Sequence, residues 1–338
     1  MIYEPLWTWG NWAVTRFSVA ALLAAALGCL CLVWLCKRRH VAQKAVDMLL
    51  PLCLFLGVFL GHLLYGLMRL LIDGYSYEQP LLFLLNPGAG GTAFLGALGG
   101  VSLACLLVGR RRIVCVDINK RFLSVDELMR YAVPALLLTL AVIRFAEPLD
   151  GQGKGPDMLA EFFPLSFAPE ADFPDDRYLP AFFYEGIYAL ALAVWGMMAA
   201  CGRAKERKAS FFVILYLAGQ MFFEMLRQDS YVHDTSMITF VRLNQLLAVI
   251  ILAGLMAYYT VLGRKRAAPA YFVRQWALYA VCVGACVGLE FLFDKPLPLF
   301  GENIYFEDWL VYLLIGLTAV GTGAAALNVM KKAVPDAR

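Results

Sequence analysis

One feature limits this chain more than any other: runs of mostly apolar residues, near the twenty or so that a helix needs to cross a bilayer, recur along its whole length. Nine such segments are read, at 12–36, 46–72, 91–108, 131–146, 180–201, 210–226, 238–262, 276–293 and 309–329. Composition agrees. Of 338 residues, 61% are hydrophobic and 16% are charged, against roughly half and a quarter in a soluble domain. The fold class expected is an all-α, polytopic transmembrane helical bundle of about nine spans. No cleavable signal peptide is expected, because the first apolar run is long and Lys37-Arg38-Arg39 follows it instead of preceding it.

Basic residues set the expected orientation. They cluster after the odd-numbered segments: Lys37-Arg38-Arg39, Arg110-Arg111-Arg112, Arg203 to Lys208, Arg264-Lys265-Arg266 and Lys331-Lys332. The alternate loops are acidic, with Asp172, Asp175, Asp176, Asp234, Glu302, Glu307 and Asp308. This predicts an outer N-terminus and an inner C-terminus. The longest outer loop, about 147–179, is expected to form a small cap on the outer face. Nine cysteines lie in or beside apolar runs or in a basic loop, which speaks against a disulfide framework.

Ionisable residues inside spans are costly and mark functional candidates. Here they gather toward one end of the segments: His62, Arg69, Arg144, Glu147, Glu185, Glu224, Arg227 and Arg242, joined by the amides Gln220 and Gln245. Two readings stay open. Arginines near span ends can snorkel to lipid headgroups; alternatively the set lines a polar cavity. Tyr216, Gln220, Glu224 and Arg227 follow helical spacing and are expected on one face, turned inward, with Glu224 and Arg227 close enough to pair. That face is either a site or an interhelix network. Gly57/Gly61 and Gly96/Gly100 are small-residue pairs suited to close helix packing. The run Asn86-Pro-Gly-Ala-Gly90-Gly91-Thr is either a turn or a nest of N–H donors for an anion.

The order of these segments resembles the bacterial prolipoprotein diacylglyceryl transferases. Gly61-His62-Leu-Leu-Tyr65 resembles that family's GxRxGY segment, with His62 at the arginine position. Gly90-Gly91-Thr-Ala-Phe94-Leu95-Gly96-Ala-Leu-Gly-Gly100 resembles its GG-x-x-F-H-G-G-x-x-G run, with Leu95 at the histidine. Arg144, ten residues after Pro134, falls at its signature arginine, and Glu147 at an asparagine three residues on. Pro180 to Tyr184-Glu185 is similar to P-x-Q-L-Y-E. Tyr216 to Arg227 is similar to Y-G-x-x-R-F-x-x-E-x-x-R, with Gln220 at the first arginine, and Asn244-Gln245 resembles a G-Q-x-x-S helix start.

The resemblance implies a transferase core over 1–262 and an added two-span extension over 263–338. It implies transfer of the diacylglyceryl group of phosphatidylglycerol to the lipobox cysteine of prolipoproteins, at the outer face of the bacterial plasma membrane. Arg144, Glu147, Glu185 and Glu224 are the expected catalytic group. Tyr184, Tyr216, Gln220, Arg227, Gly90, Gly91, Leu95, Gln245, His62 and Arg242 are the expected substrate-binding group. No cofactor, metal or nucleic acid is implied. A non-catalytic relative that binds phospholipid or assists a membrane partner is the alternative. A transporter is disfavoured, since no internal repeat is seen.

Overall fold

A computed structural model describes residues 6–9, 12–73, 84, 91–110, 123–160, 162–168, 176–204, 207–228, 242–294, 297–299, 302–304 and 308–334. Nine α-helices lie among the described residues: α1 Arg16–Arg38, α2 Gln43–Asp73, α3 Phe94–Arg110, α4 Val125–Ala146, α5 Ala181–Ala200, α6 Ala209–Phe223, α7 Leu243–Gly263, α8 Pro269–Asp294 and α9 Asp308–Ala333. Each overlaps one expected span. Seven are long and apolar enough to cross a membrane; α3 and α6 are apolar but shorter. The faces turned away from protein are apolar, as at Leu22 (72% exposed), Phe55 (65%), Val281 (68%) and Val320 (68%), while several polar side chains are buried. That inversion of the soluble pattern fits lipid as the solvent.

The helix ends differ from expectation for local reasons. The first span begins at Arg16, not Trp12, because Thr15 caps it: its Oγ1 accepts from Ser18 N at 3.1 Å. Trp12–Val14 instead pairs with Trp7–Trp9 as strands β2 and β1. The fourth helix begins at Val125, six residues before the expected 131. Ser124 and Glu127 form a reciprocal capping box there, with Ser124 N donating to Glu127 Oε2 at 2.8 Å. Pro134 sits inside α4 without ending it.

The chain divides into two compact units. The first is Met1–Phe212 with Arg227–Asp229, and the second is Val213–Leu226 with Ser230–Arg338. In the first, α2 packs on α3, α3 on α4, and α4 on both α1 and α5. The expected glycine pairs make the α2–α3 contact. A Cβ at Gly96 or Gly100 would run into the carbonyls of Leu60 or Leu56, and Ala93 N donates to the Gly61 carbonyl across the helices at 2.9 Å. Backbones approach this closely only where side chains are absent. Leu35, Leu49, Ala104, Val108 and Leu128 form a fully apolar core toward the basic ends of the helices.

The cap is small but ordered by strands too short for sequence alternation to reveal. β3 (Lys154–Asp157) pairs with β4 (Tyr178–Pro180) in antiparallel fashion. Phe167 packs edge-on to Phe182, centroids 5.1 Å apart, and Phe163 to Phe183 at 4.7 Å. In the second unit, β5 (Leu297–Leu299) and β6 (Glu302–Ile304) form a third hairpin. There α9 packs on α8 and α7, and Tyr279 OH donates to the Val249 carbonyl.

Candidate functional site

In the first unit, four charged side chains from separate parts of the chain meet. Arg144 stands on the last turn of α4, two residues before the helix ends. Glu147 opens the 3-10 turn Glu147–Asp150 that follows. Glu185 lies on the second turn of α5, and Arg227 follows α6. Arg144 Nη1 donates to Glu147 Oε1, and its Nη2 lies 2.7 Å from Glu185 Oε1. Arg227 Nη1 donates to Glu147 Oε2 at 3.0 Å and to Glu185 Oε2 at 3.0 Å. Each carboxylate therefore touches both guanidiniums. Glu147 is 3% exposed and Glu185 1%. Two positive and two negative charges balance, which is what permits burial at this depth.

The cap holds this quartet in place. Gly153 adopts φ +81°, and a Cβ there would press on Phe182 and on Glu147 Oε2. Its carbonyl accepts from Phe182 N at 3.2 Å, and that of Lys154 accepts from Gln228 N at 2.9 Å. The second bond fixes the backbone beside Arg227. Tyr184 OH donates to the Pro164 carbonyl at 3.0 Å, so it ties α5 to the cap.

A second polar feature lies along α2 and the turn before α3. His62 is buried, with Nδ1 3.2 Å from the Gly91 carbonyl oxygen. Gly91 has φ +75° and lies against the Tyr65 ring, where no side chain would fit. Leu95 is buried on the first turn of α3. Gly90, also expected here, lies outside the described residues.

The second unit holds a hydrogen-bonded ladder. Tyr216 OH donates to Gln220 Oε1 at 2.6 Å, and Gln220 Nε2 to Glu224 Oε2 at 2.7 Å. Asn244 Nδ2 donates to Glu224 Oε1 at 3.0 Å. Gln245 Nε2 donates to the Met221 carbonyl at 3.1 Å. Arg242 Nη1 donates to the Glu224 carbonyl, satisfying a backbone acceptor at the C-terminal end of α6, where a cation is also favoured by the helix dipole.

The helical spacing from Tyr216 through Glu224 is thus realised, and its extension to Arg227 is not. Regular α-helix stops at Phe223. The next bonds are tighter, Met225 N to the Phe222 carbonyl and Leu226 N to the Phe223 carbonyl. The chain turns at that point, and Arg227 bonds Glu147 and Glu185 in place of the expected helical partnership with Glu224.

Residues 5–261 match the prolipoprotein diacylglyceryl transferase family. The chain belongs to that family. A protein of Clostridium botulinum (strain 657 / Type Ba4) named phosphatidylglycerol–prolipoprotein diacylglyceryl transferase is 26% identical over 227 residues, 65% of this chain and 85% of that one. One of the same name from the Langeland strain is 25% identical over 264 residues, 76% and 96% of the two chains. Another, from Synechococcus elongatus, is 25% identical over 246 residues, 70% and 79%.

Some buried polar residues escaped the sequence reading. Glu290 on α8 is 4% exposed, and Gln275 and Thr322 are buried as well. Cys286 lies between Gln245 Nε2 (3.5 Å) and Glu290. An acidic residue within an apolar helix was the available signal for Glu290. Gly153 carried a weaker one, a second glycine soon after the signature arginine.

Proposed function

We propose that the chain transfers the diacylglyceryl group of phosphatidylglycerol to the lipobox cysteine thiol of prolipoproteins, at the outer face of the bacterial plasma membrane. One observation supports this above the others: a pair of arginines, the partly exposed Arg144 and the buried Arg227, clamped by the buried carboxylates Glu147 and Glu185 in a chain of this family. In the reaction the thiol sulfur bonds to the glyceryl carbon that bears the phosphate. The bond from that carbon to the phosphate oxygen breaks, and glycerol phosphate departs with the electron pair. Negative charge grows on the leaving phosphate. Guanidinium donors already oriented by carboxylates meet that charge with little reorganisation. Glu147 and Glu185 are positioning residues in this scheme. Residues 1–262 carry the transferase core, with α8 and α9 an addition packed beside α7.

The departures favour a slow enzyme and keep a non-catalytic lipid binder as the second reading. Leu95 supplies no polar group, and Gln220 is held in an uncharged link between Tyr216 and Glu224. The test pairs lipid mass spectrometry of the purified protein with transfer to a lipobox peptide in phosphatidylglycerol vesicles. The expected result is bound phosphatidylglycerol and transfer slower than that of the Clostridium botulinum relative. Bound lipid without turnover supports the second reading. Absence of any bound anionic lipid refutes both.

The outer N-terminus, inner C-terminus and nine crossings belong to the same proposal and rest on the alternating basic loops. A reporter active only outside the cytoplasm, fused after Lys332, should be silent. Signal there would remove the odd count.

A further inference from the structure

We infer that His62 takes the proton from the acceptor thiol, a role that rests on the transfer proposed above and gives it a base. His62 is 8% exposed. Its Nδ1 faces the Gly91 carbonyl at 3.2 Å. A carbonyl only accepts, so Nδ1 carries the hydrogen in that bond. The neutral ring then has its lone pair on Nε2. That atom is buried and has no hydrogen-bond partner among the described residues. A buried acceptor left unsatisfied costs about 1–3 kcal/mol. The ring cannot escape by sliding along Gly91, whose backbone is pinned. The Tyr65 ring covers it, and Ala93, two residues on, donates to the Gly61 carbonyl. The result is an imidazole with a fixed tautomer and an acceptor atom that no described residue engages.

Among the described residues, the two buried carboxylates near this depth are already engaged. Glu147 accepts from Arg144 and Arg227, while Glu185 accepts from Arg227 and is ion-paired with Arg144. Helix geometry places His62 near the same level as Arg144. Gly61 meets Ala93 at the start of α3, and Gly109 meets Val125 at the start of α4. Helices α2, α3 and α4 are therefore antiparallel in turn. Ala93 to Gly109 is about 24 Å and Val125 to Arg144 about 28 Å at 1.5 Å per residue. The start of α3 and the end of α4 thus lie on the same side, within about a turn of one another.

The step balances without another reagent. The S–H proton passes to Nε2 as sulfur bonds to the glyceryl carbon. The carbon–oxygen bond breaks, glycerol phosphate leaves, and the imidazolium returns its proton to the phosphate or to water.

Asparagine separates this role from a structural one. In His62→Asn the amide N–H can still donate to the Gly91 carbonyl, but nothing remains to accept a proton. Transfer to a cysteine lipobox peptide in phosphatidylglycerol vesicles should fall roughly 10²–10⁴-fold. A selenocysteine version of the peptide, whose selenol ionises without help, should recover most of that loss. Equal losses with both peptides, or no loss, would overturn the role of His62 while leaving the transfer reaction standing. A wild-type protein that transfers to neither peptide overturns the transfer reaction and this role together.

Discussion

The charged quartet of the first unit and the ladder of the second are both buried polar networks, yet they are built in opposite ways. The quartet joins Arg144, Glu147, Glu185 and Arg227, and each carboxylate serves two guanidiniums. Its longest links span 42 and 80 residues of sequence. The ladder runs along one helix at four-residue steps, Tyr216 to Gln220 to Glu224, and adds Asn244 from the start of α7. Its side-chain links are a phenol, two amides and one carboxylate. The first network depends on charge balance and on the cap that positions it. The second depends on helix periodicity and hydrogen-bond direction. A glutamate at the centre of each should therefore respond differently to loss of its charge.

Glu185→Gln should produce the larger effect. It leaves two guanidiniums, Arg227 buried and Arg144 partly so, sharing Glu147 and one amide oxygen. Removing one partner from a buried ion pair typically costs about 3–5 kcal/mol, most of it the uncompensated charge. The midpoint of denaturant unfolding in detergent measures this. Arg227→Gln added to Glu185→Gln should restore part of the loss, since the remaining pair, Arg144 with Glu147, is again neutral. If the double variant is as unstable as the sum of the two single ones, the four groups are not acting as one charge-balanced set.

The same contrast explains what could be read from the sequence. Apolar runs identified each of the nine helices named above because a bilayer imposes a length and a hydropathy that no short motif can mimic. Their ends were missed where a side chain near the boundary decided them: Thr15 for α1, Ser124 with Glu127 for α4. The ladder was legible because four-residue spacing is a local property. The partners of Arg227 were not. Spacing favoured Glu224, three residues away, but the chain turns after Phe223 and a bond from Gln228 to Lys154 holds the next segment. The cap strands were invisible because three or four residues carry no usable alternation. The glycine pairs of α2 and α3 were legible as close-packing signals. The bond from His62 to Gly91 was not, since it depends on a backbone at φ +75°.

Glu224→Gln gives the smaller and more discriminating effect. The replacement keeps the shape of the side chain and one acceptor oxygen. Two donors compete for that oxygen, Gln220 Nε2 and Asn244 Nδ2. One of them loses its acceptor, because the new amide group can only donate. Asn244 is half-buried, so its amide has more room to turn elsewhere than that of Gln220, which is 3% exposed. The backbone carbonyl of Glu224 still accepts from Arg242, so the end of α6 stays capped. The loss should be that of one buried hydrogen bond, about 1–2 kcal/mol, well below that of Glu185→Gln in the same unfolding measurement. A cost equal to the quartet's would mean that the charge of Glu224, and not its geometry, is what the ladder uses, and the distinction between the two networks would fall.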